Sequence, residues 1–273
     1  MTQLSEKAQR FYDLHRRGAP LLLPNPWDAG SARLLASLGF DALATTSSGH
    51  AMSLGRLDGN VSSGEALAHA AAIVSATDLP VSADLENGFA DDPAGVAATV
   101  RRARETGLAG CSIEDSTQLS DDPIYDYDLA VERVSAAAEA AHAGRDALVL
   151  TARAENHLHG RSDLADTIRR LQAYESVGAD VLYAPGLVSL PDIRSVVESV
   201  SAPVNVLLMP GGPTLAELAA AGVRRISVGG AFAYVALGAL AAAGRELLDG
   251  GALTFWEGVK AGRSAARSAF NAG

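Results

Sequence analysis

The amino-acid sequence predicts an α/β protein built as a (β/α)8 barrel of the TIM type, and three observations carry that prediction. Short apolar runs of β type alternate with alanine-rich helical runs along nearly the whole chain. Glycine-centred breaks recur where a helix hands over to the next strand. The length, 273 residues, is close to the roughly 250 that one such barrel uses. No linker-like stretch interrupts the alternation. Residues 1–273 therefore read as a single barrel domain, with an N-terminal helix over 1–18 and a C-terminal helical tail over 249–273.

In chain order, MTQLSEKAQRFYDLHRRG has no apolar core and reads as an amphipathic helix rather than a signal peptide. Strands are expected at Pro20–Pro24, Ala42–Thr46, Val81–Asp84, Gly110–Glu114, Leu148–Ala152, Val181–Ala184, Val204–Leu207 and Ile226–Gly229. Helices are expected between them at Ala29–Ser37, Gly64–Ala76, Pro93–Glu105, Asp128–His142, Ser162–Val177, Pro191–Val200 and Thr214–Ala221, with another at Ala231–Leu248. Gly39, Gly107, Gly178 and Gly222 each end a helix, where the chain often needs the left-handed conformation that glycine adopts freely. A doubly wound open sheet is the structural alternative. Its fingerprint, GxGxxG after the first strand, is missing.

Composition narrows the chemistry. Lys and Arg number 22 against 32 Asp and Glu, a net charge of −10, which disfavours a nucleic-acid or anionic-membrane partner. The apolar run Ala231–Ala243 is shorter than the ~18 residues of a spanning helix, so a cytoplasmic protein is expected. A single cysteine, Cys111, excludes a disulfide framework and a Cys-rich zinc site. The only lysines, Lys7 and Lys260, lie in the leading helix and the tail. Neither is placed for Schiff-base chemistry or for a phosphate-binding loop.

Chemistry in such barrels occurs at the C-terminal ends of the strands, and carboxylates collect there. Asp84 and Glu86 follow the third expected strand and Glu114 ends the fourth. Asp58 reaches in from the loop after the second, and Arg153 stands near the end of the fifth. Converging carboxylates repel unless a cation or protons compensate them, and a hard divalent ion with oxygen ligands, Mg2+ or Mn2+, suits this set. Any one of these carboxylates has an ordinary alternative as a helix cap or loop residue, as Asp91, Asp92 and Asp115 also do. Arg153 reads either as a salt-bridge partner of Glu155 or Glu114, or as a bidentate clamp for a carboxylate or phosphonate. Ser47, Ser48 and Gly49 form a plain turn or a set of donors for a substrate carboxylate. His157 and His159 read as loop residues, Cys111 as a small buried strand residue, and Trp27 as a packed aromatic or a pocket wall.

At these residues the sequence resembles a known family. LPNPWDAGSARLL, GFDALATTSSG, SLGRLDG, VSADLENGF, CSIEDS and ARAENHL run in fixed order, continued more loosely by GADVLYAPGL and PVNVLLMPGG. Together they resemble the isocitrate lyase/phosphoenolpyruvate mutase superfamily. The resemblance implies Mg2+ held near Asp58, Asp84, Glu86 and Glu114, partly through water. It implies a substrate carboxylate at Ser47, Ser48 and Gly49, with Arg153 as the substrate-binding arginine; Trp27 and Asn205 are further substrate-binding candidates. It also implies a homodimer or homotetramer formed by exchange of a C-terminal helix, which the apolar Ala231–Ala243 run would serve.

The departures bear on the reaction. Carbon–carbon lyases of this family carry a K-[KR]-C-G-H segment after the fourth strand, and the phosphonate-processing members place Asn and Lys there. This chain has EDSTQLSDDPIYDYD instead. At the end of the sixth strand it has Tyr183-Ala184-Pro185 where relatives place Glu or His. The expectation is a Mg2+-dependent lyase cleaving a C–C bond in a small α-oxo or α-hydroxy acid through an enolate. Arg153 and Asp58 would serve the chemistry, and Tyr125, Tyr127, His50 or His157 are candidates to move the proton. Two alternatives stand beside it: a P–C bond mutase or hydrolase, and a non-catalytic protein that binds metal and oxyacid.

Overall fold

The structure, a computed structural model, describes residues 3–250 and 253–271. The chain begins with β1 (Gln3–Leu4), α1 (Glu6–Leu14), β2 (Leu21–Leu23), α2 (Ala29–Ser37), β3 (Leu43–Ala44), α3 (Ser47–Ser53) and α4 (Ser63–Ser75). It continues through β4 (Val81–Asp84), α5 (Pro93–Arg104), β5 (Gly110–Glu114), α6 (Tyr127–His142), β6 (Arg145–Ala147), β7 (Val149–Arg153) and α7 (Leu164–Ser176). The last elements are β8 (Val181–Tyr183), α8 (Leu190–Ser199), β9 (Val204–Leu207), α9 (Leu215–Ala220), β10 (Arg225–Ser227), α10 (Ala231–Leu248) and α11 (Phe255–Phe270).

Eight parallel strands pair in the order β2-β10-β9-β8-β7-β5-β4-β3. The two ends of that order are drawn together by the Ala44 N–H, which donates to the Pro24 carbonyl at 3.1 Å. Asn25 completes the seam: its Nδ2 donates to the Thr45 carbonyl at 3.0 Å, and its Oδ1 accepts the Val228 and Gly229 N–H groups. The result is a nearly closed barrel with helices interleaved, as the alternating pattern predicts.

Local chemistry sets the helix starts. Asp28 and Ser31 form a capping box on α2, Ser62 and Glu65 another on α4, and Asp92 caps α5 ahead of Pro93. The expected bounds of the helix at 29–37 and of the strands at 81–84, 110–114 and 204–207 match the structure. Most other bounds shift by one or two residues, and three differences stand out. Residues 47–53 form a short helix where the sequence suggests a turn, because the Thr46 hydroxyl accepts the Gly49 N–H and starts it. A two-stranded parallel pair, β1 with β6, stands apart from the barrel. The last barrel strand begins at Arg225 rather than Ile226, one residue before its apolar core.

The N-terminal end of the barrel is plugged by α1, whose Ala8, Phe11 and Leu14 are buried against Leu21, Ala42, Ala109, Val149 and Val181 at the strand starts. Gly110 permits this close approach, since a Cβ there would meet the Val149 carbonyl at 2.6 Å and the Phe11 ring at 3.0 Å. The cavity therefore opens only at the opposite end.

At the C-terminal side α11 lies on α2, with the Phe270 ring against Gly30. Of the expected tail, residues 251, 252, 272 and 273 lie outside the described residues. Helix α10 buries only Ala233 and leaves Val235 and Leu240 about two-thirds exposed, at 70% and 68%. It runs 18 residues at a mean hydropathy of 1.4, so among the described residues it alone has the length and composition to cross a membrane. The sequence expectation measured only its shorter apolar run.

At the end of α1 the His15 ring is buried, with Nδ1–H donating to the Phe11 carbonyl at 2.7 Å. Burial, then the nearby charge of Arg225, push its pKa down from 6.5 to about 3. The unfolded chain therefore takes up a proton that the native state refuses. This contribution to stability is complete above about pH 6.5 and is lost as pH falls toward 3, with a limiting slope of about 1.4 kcal/mol per pH unit. In proton NMR the His15 Cε1 resonance should keep its neutral position throughout the folded range. A folded-state midpoint near 6.5 would contradict this account.

Candidate active site

The site is built from consecutive strand ends. Asp84 closes β4 and is held from three sides. Its own N–H donates to Thr45 Oγ1 at 2.9 Å, its Oδ2 accepts the Ser47 N–H at 3.2 Å, and its Oδ1 accepts Arg153 Nη1 at 2.9 Å. Glu114 and Arg153 are register partners on β5 and β7, so their side chains leave the sheet on the same face. Arg153 Nη2 lies 3.0 Å from Glu114 Oε2, and its Nε donates to Glu155 Oε1 at 2.8 Å. Every side of the guanidinium thus meets a carboxylate.

Three carboxylates share one cation, and the charge is not balanced. Burial raises Glu114 well above the usual carboxylate range, against the pull of Arg153, and raises Glu155 in the same way. Arg153 is held charged by Glu155, Glu114 and Asp84 although its own burial works against that. Glu86, next along the chain from β4, is pushed up to about 7 by burial and then by Asp84 and Asp58. Its backbone φ of 50° is a left-handed conformation rare for a side chain of this size. Asp58, on an exposed loop, is raised by desolvation against the pocket wall and by Asp84.

Gln118 joins this group, and sequence reasoning missed it. Its Nε2 donates to Glu86 Oε2 at 3.0 Å and to Glu114 Oε1 at 3.3 Å. Gly59 makes room for it, because a Cβ there would lie 2.6 Å from Gln118 Oε1. The loop that lacks the family's Cys and Lys thus supplies a neutral amide to the carboxylates. Its place in the substituted loop was the one available signal.

The cavity below has a volume of about 180 Å3, small beside the roughly 300–1,000 Å3 of sites for drug-sized ligands. Ser47, Ser48, Asp58, Asp84, Arg153 and Asn205 line it, all expected from the sequence. Tyr183, at the strand end where the sequence departs from its relatives, lines it as well, and so do Arg225 and Ser227, which were not anticipated as site residues.

Several expected residues stand elsewhere. The Gly49 N–H is taken by Thr46, and Gly49 packs tightly under Trp27 and Ala233, so neither Gly49 nor Trp27 forms part of the cavity wall. Tyr125 is buried beneath the wall, donating its hydroxyl to Asp91 and carrying Arg133 over its ring at 4.0 Å, so it does not face the cavity. Tyr127 lies at the start of α6 against Arg169. His157 is adjacent to the mouth, where Leu158 rather than the imidazole faces inward. His50 stacks on His69 at 3.8 Å behind Asp84 and Glu86, in a separate small pocket. Tyr127 and His50 thus meet residues of neighbouring helices, Arg169 and His69, whereas the Tyr125 hydroxyl is taken by the loop after β4.

Among the described residues, no group of three or more His, Cys, Asp or Glu side chains is arranged to hold a metal ion directly. The donor chemistry nevertheless suits a hard cation: Asp58, Asp84 and Glu86 are oxygen donors that raise one another's pKa. Such a set can hold an ion through one or two carboxylates and intervening waters.

With this geometry in view, comparison with known proteins is decisive. The family model for phosphoenolpyruvate phosphomutase matches residues 11–248. The chain belongs to the isocitrate lyase/phosphoenolpyruvate mutase superfamily. A Burkholderia cenocepacia protein provisionally described as a lyase/mutase has a crystal structure with 52% sequence identity and a TM-score of 0.91, covering 96% of this chain and 94% of that one. The 2-methylisocitrate lyase of Halalkalibacterium halodurans is 30% identical over 216 residues, 77% of this chain and 70% of its own. A phosphonopyruvate hydrolase solved with oxalate and Mg2+ is 25% identical with a TM-score of 0.80, covering 90% of this chain and 89% of its own. Membership makes the chain an enzyme of the lyase and mutase class, acting on C–C or P–C bonds.

Asp115, one residue past β5, is the anchor beneath the site rather than a cap. It accepts the Glu155 N–H at 2.8 Å, the Tyr174 hydroxyl at 2.6 Å and Arg170 Nη1 at 3.1 Å. Asp115→Ala strands Arg170 and Tyr174 without that partner and should cost about 3–5 kcal/mol. Urea unfolding measures the loss directly, and a change under 1 kcal/mol would show that Asp115 does not anchor the site.

Proposed function

We propose that this enzyme cleaves a C–C bond in a small α-oxo or α-hydroxy carboxylic acid, with Mg2+ as cofactor, through an enolate-type intermediate. The observation that carries the reading is the excess of carboxylates over the single guanidinium of Arg153, placed at the wall of a cavity of about 180 Å3. Asp84, Asp58 and Glu86, with Glu114 behind them, are the groups that would hold the ion, with Mn2+ as a substitute. When bound, the ion supplies positive charge to the developing enolate oxygen and orients the acid.

The remaining work belongs to the chain. Ser47 and Ser48 offer hydroxyls to the substrate carboxylate at one wall of the cavity. Arg153, rigidly positioned by its carboxylates, presents positive charge to the same space without reorganising, the condition under which electrostatic stabilisation is largest. Tyr183 occupies the wall between them, its hydroxyl pushed up to about 12 by burial although Arg153 works against this. It therefore stays protonated and acts as a donor, replacing Tyr125 and His157 as the group to test for proton delivery. The P–C bond reading keeps the same cavity, and the matched phosphomutase family model favours testing it alongside.

Mass-spectrometric screening of small oxo- and hydroxy-acids with added Mg2+ should find at least one that is cleaved. Activity should vanish with a chelator, and Asp84→Asn should lower it about a hundredfold or more. Release of phosphate or phosphoenolpyruvate from phosphonopyruvate, with no acid cleaved, would move the assignment to P–C chemistry. Turnover unaffected by the chelator would end the metal reading.

The exposed face of α10 supports a homo-oligomer in which a second copy covers it, a dimer or tetramer in the manner the family resemblance implies. Placing charge there, as in Val235→Glu with Leu240→Glu, should convert the assembly to monomer in light scattering. An unchanged mass would exclude α10 as the interface.

A further inference from the structure

The floor of the cavity holds a second arginine that the proposed chemistry leaves unused. Three arginines, Arg133, Arg170 and Arg225, are more than nine-tenths buried, and their partners differ. Arg170 is paired with Asp115 and Asp166. Arg133 donates to three backbone carbonyls, those of Asn87, Ala90 and Asp91. Arg225 has neither arrangement. Its Nε donates to Asn205 Oδ1 at 2.9 Å and its Nη1 to Thr151 Oγ1 at 3.0 Å. Among the described residues no carboxylate pairs with it, and Nη2 makes no hydrogen bond to the protein while not being sealed off from the cavity.

The barrel geometry places this charge below Arg153. Glu114, Arg153, Tyr183, Asn205 and Arg225 form one register row across five adjacent strands. The row starts at the last residue of β5 and ends at the first residue of β10, so it descends from the mouth to the floor as the tilted strands require. Barrel interiors are normally filled by branched apolar side chains. Here Ala44, Ser82, Ser112 and Ser227 line the cavity, and their small size leaves space in front of the guanidinium. Burial of the unneutralised charge pushes Arg225 down to about 10. A buried guanidinium without an anion is costly to maintain, and a ligand anion entering the cavity relieves that cost.

We propose that Arg225 and the Ser227 hydroxyl form an anion subsite on the cavity floor that receives the distal carboxylate of a dicarboxylic substrate. The oxo- or hydroxy-acid end of that substrate lies above, at Ser47, Ser48 and Arg153. The proposal rests on the oxyacid reading of the cavity given above and names its substrate class. Asn205 is then a positioning residue: its Oδ1 holds Arg225, and its Nδ2 donates to Ser227 Oγ at 3.0 Å, while the Ser227 hydroxyl, itself on the cavity wall, hydrogen-bonds the neighbouring Tyr183 hydroxyl until an anion enters.

Calorimetric titration of the full chain with Mg2+ present tests this with three probes: malate, its 4-amide, and lactate. The amide keeps the shape of malate and removes the distal charge; lactate removes the distal group. A charge-assisted contact of this kind corresponds to a preference of about tenfold to a hundredfold. Malate should therefore bind at least tenfold more tightly than the other two. Arg225→Met should bring malate down to the level of the amide while leaving lactate unchanged, and Arg225→Lys should recover part of the difference. Equal binding of malate and its amide to the wild-type chain overturns the subsite even if Arg225→Met does not fold. An equal loss for malate and lactate in the variant overturns it as well. In both results lactate still binds the wild-type chain and the oxyacid reading survives. Absence of binding by all three overturns both.

Discussion

Arg153 stands within 3.0 Å of Asp84, Glu114 and Glu155, and the geometry of three barrel strands depends on that contact. The guanidinium ties the end of β4 to the ends of β5 and β7, and its charge pulls against the burial that raises the pKa of Glu114 and Glu155 beside it. Removing carboxylates from water is expensive, and one cation offsets only part of that cost for three. The excess of carboxylates over cations is a property of the fold itself, and the raised pKa values of Glu114 and Glu155 are its consequence. Structure and chemistry meet in one imbalance.

A second set of constraints keeps the imbalance in place. Asp115 lies directly behind Glu155 and is bonded to Arg170 and Tyr174 of α7, so the loop after β7 is fixed from the helical layer. The α1 plug closes the far end of the barrel around Phe11 and leaves the mouth as the way in. Between plug and mouth the interior is more polar than a barrel core usually is. Two guanidinium groups share that interior, Arg153 neutralised by protein carboxylates and Arg225 held only by neutral acceptors.

Much of the barrel was legible in the sequence because alternating apolar periodicity, glycine helix ends and capping residues are local signals. The helix at 29–37 and the strands at 81–84, 110–114 and 204–207 could be bounded from such signals alone. The helix at 47–53 was not, since SSGHAMS lacks an apolar stripe and owes its start to the Thr46 cap. In the site, Asp84, Glu86, Glu114 and Arg153 were readable because a strand end dictates where its own next residues stand. Tyr125 and His157 were misjudged as cavity groups because a loop position does not tell which way a side chain turns. Gln118 and Arg225 carried no motif: one sits in a substituted loop, the other at the polar edge of an apolar strand.

The amino-acid order alone thus accounts for the alternation of strands and helices, the family, and the collection of carboxylates at one end of the barrel, since each follows from spacing along the chain. It could not assign partners to charges. Arg153, Arg170 and Arg225 are equivalent as letters, and they become an ion-pair hub, a structural tie and an unneutralised charge only when the strands close. Register and strand tilt bring residues more than a hundred positions apart, such as Glu114 and Arg225, into one descending row. Electrostatic interaction depends on distance and burial, and both are properties of the assembled barrel.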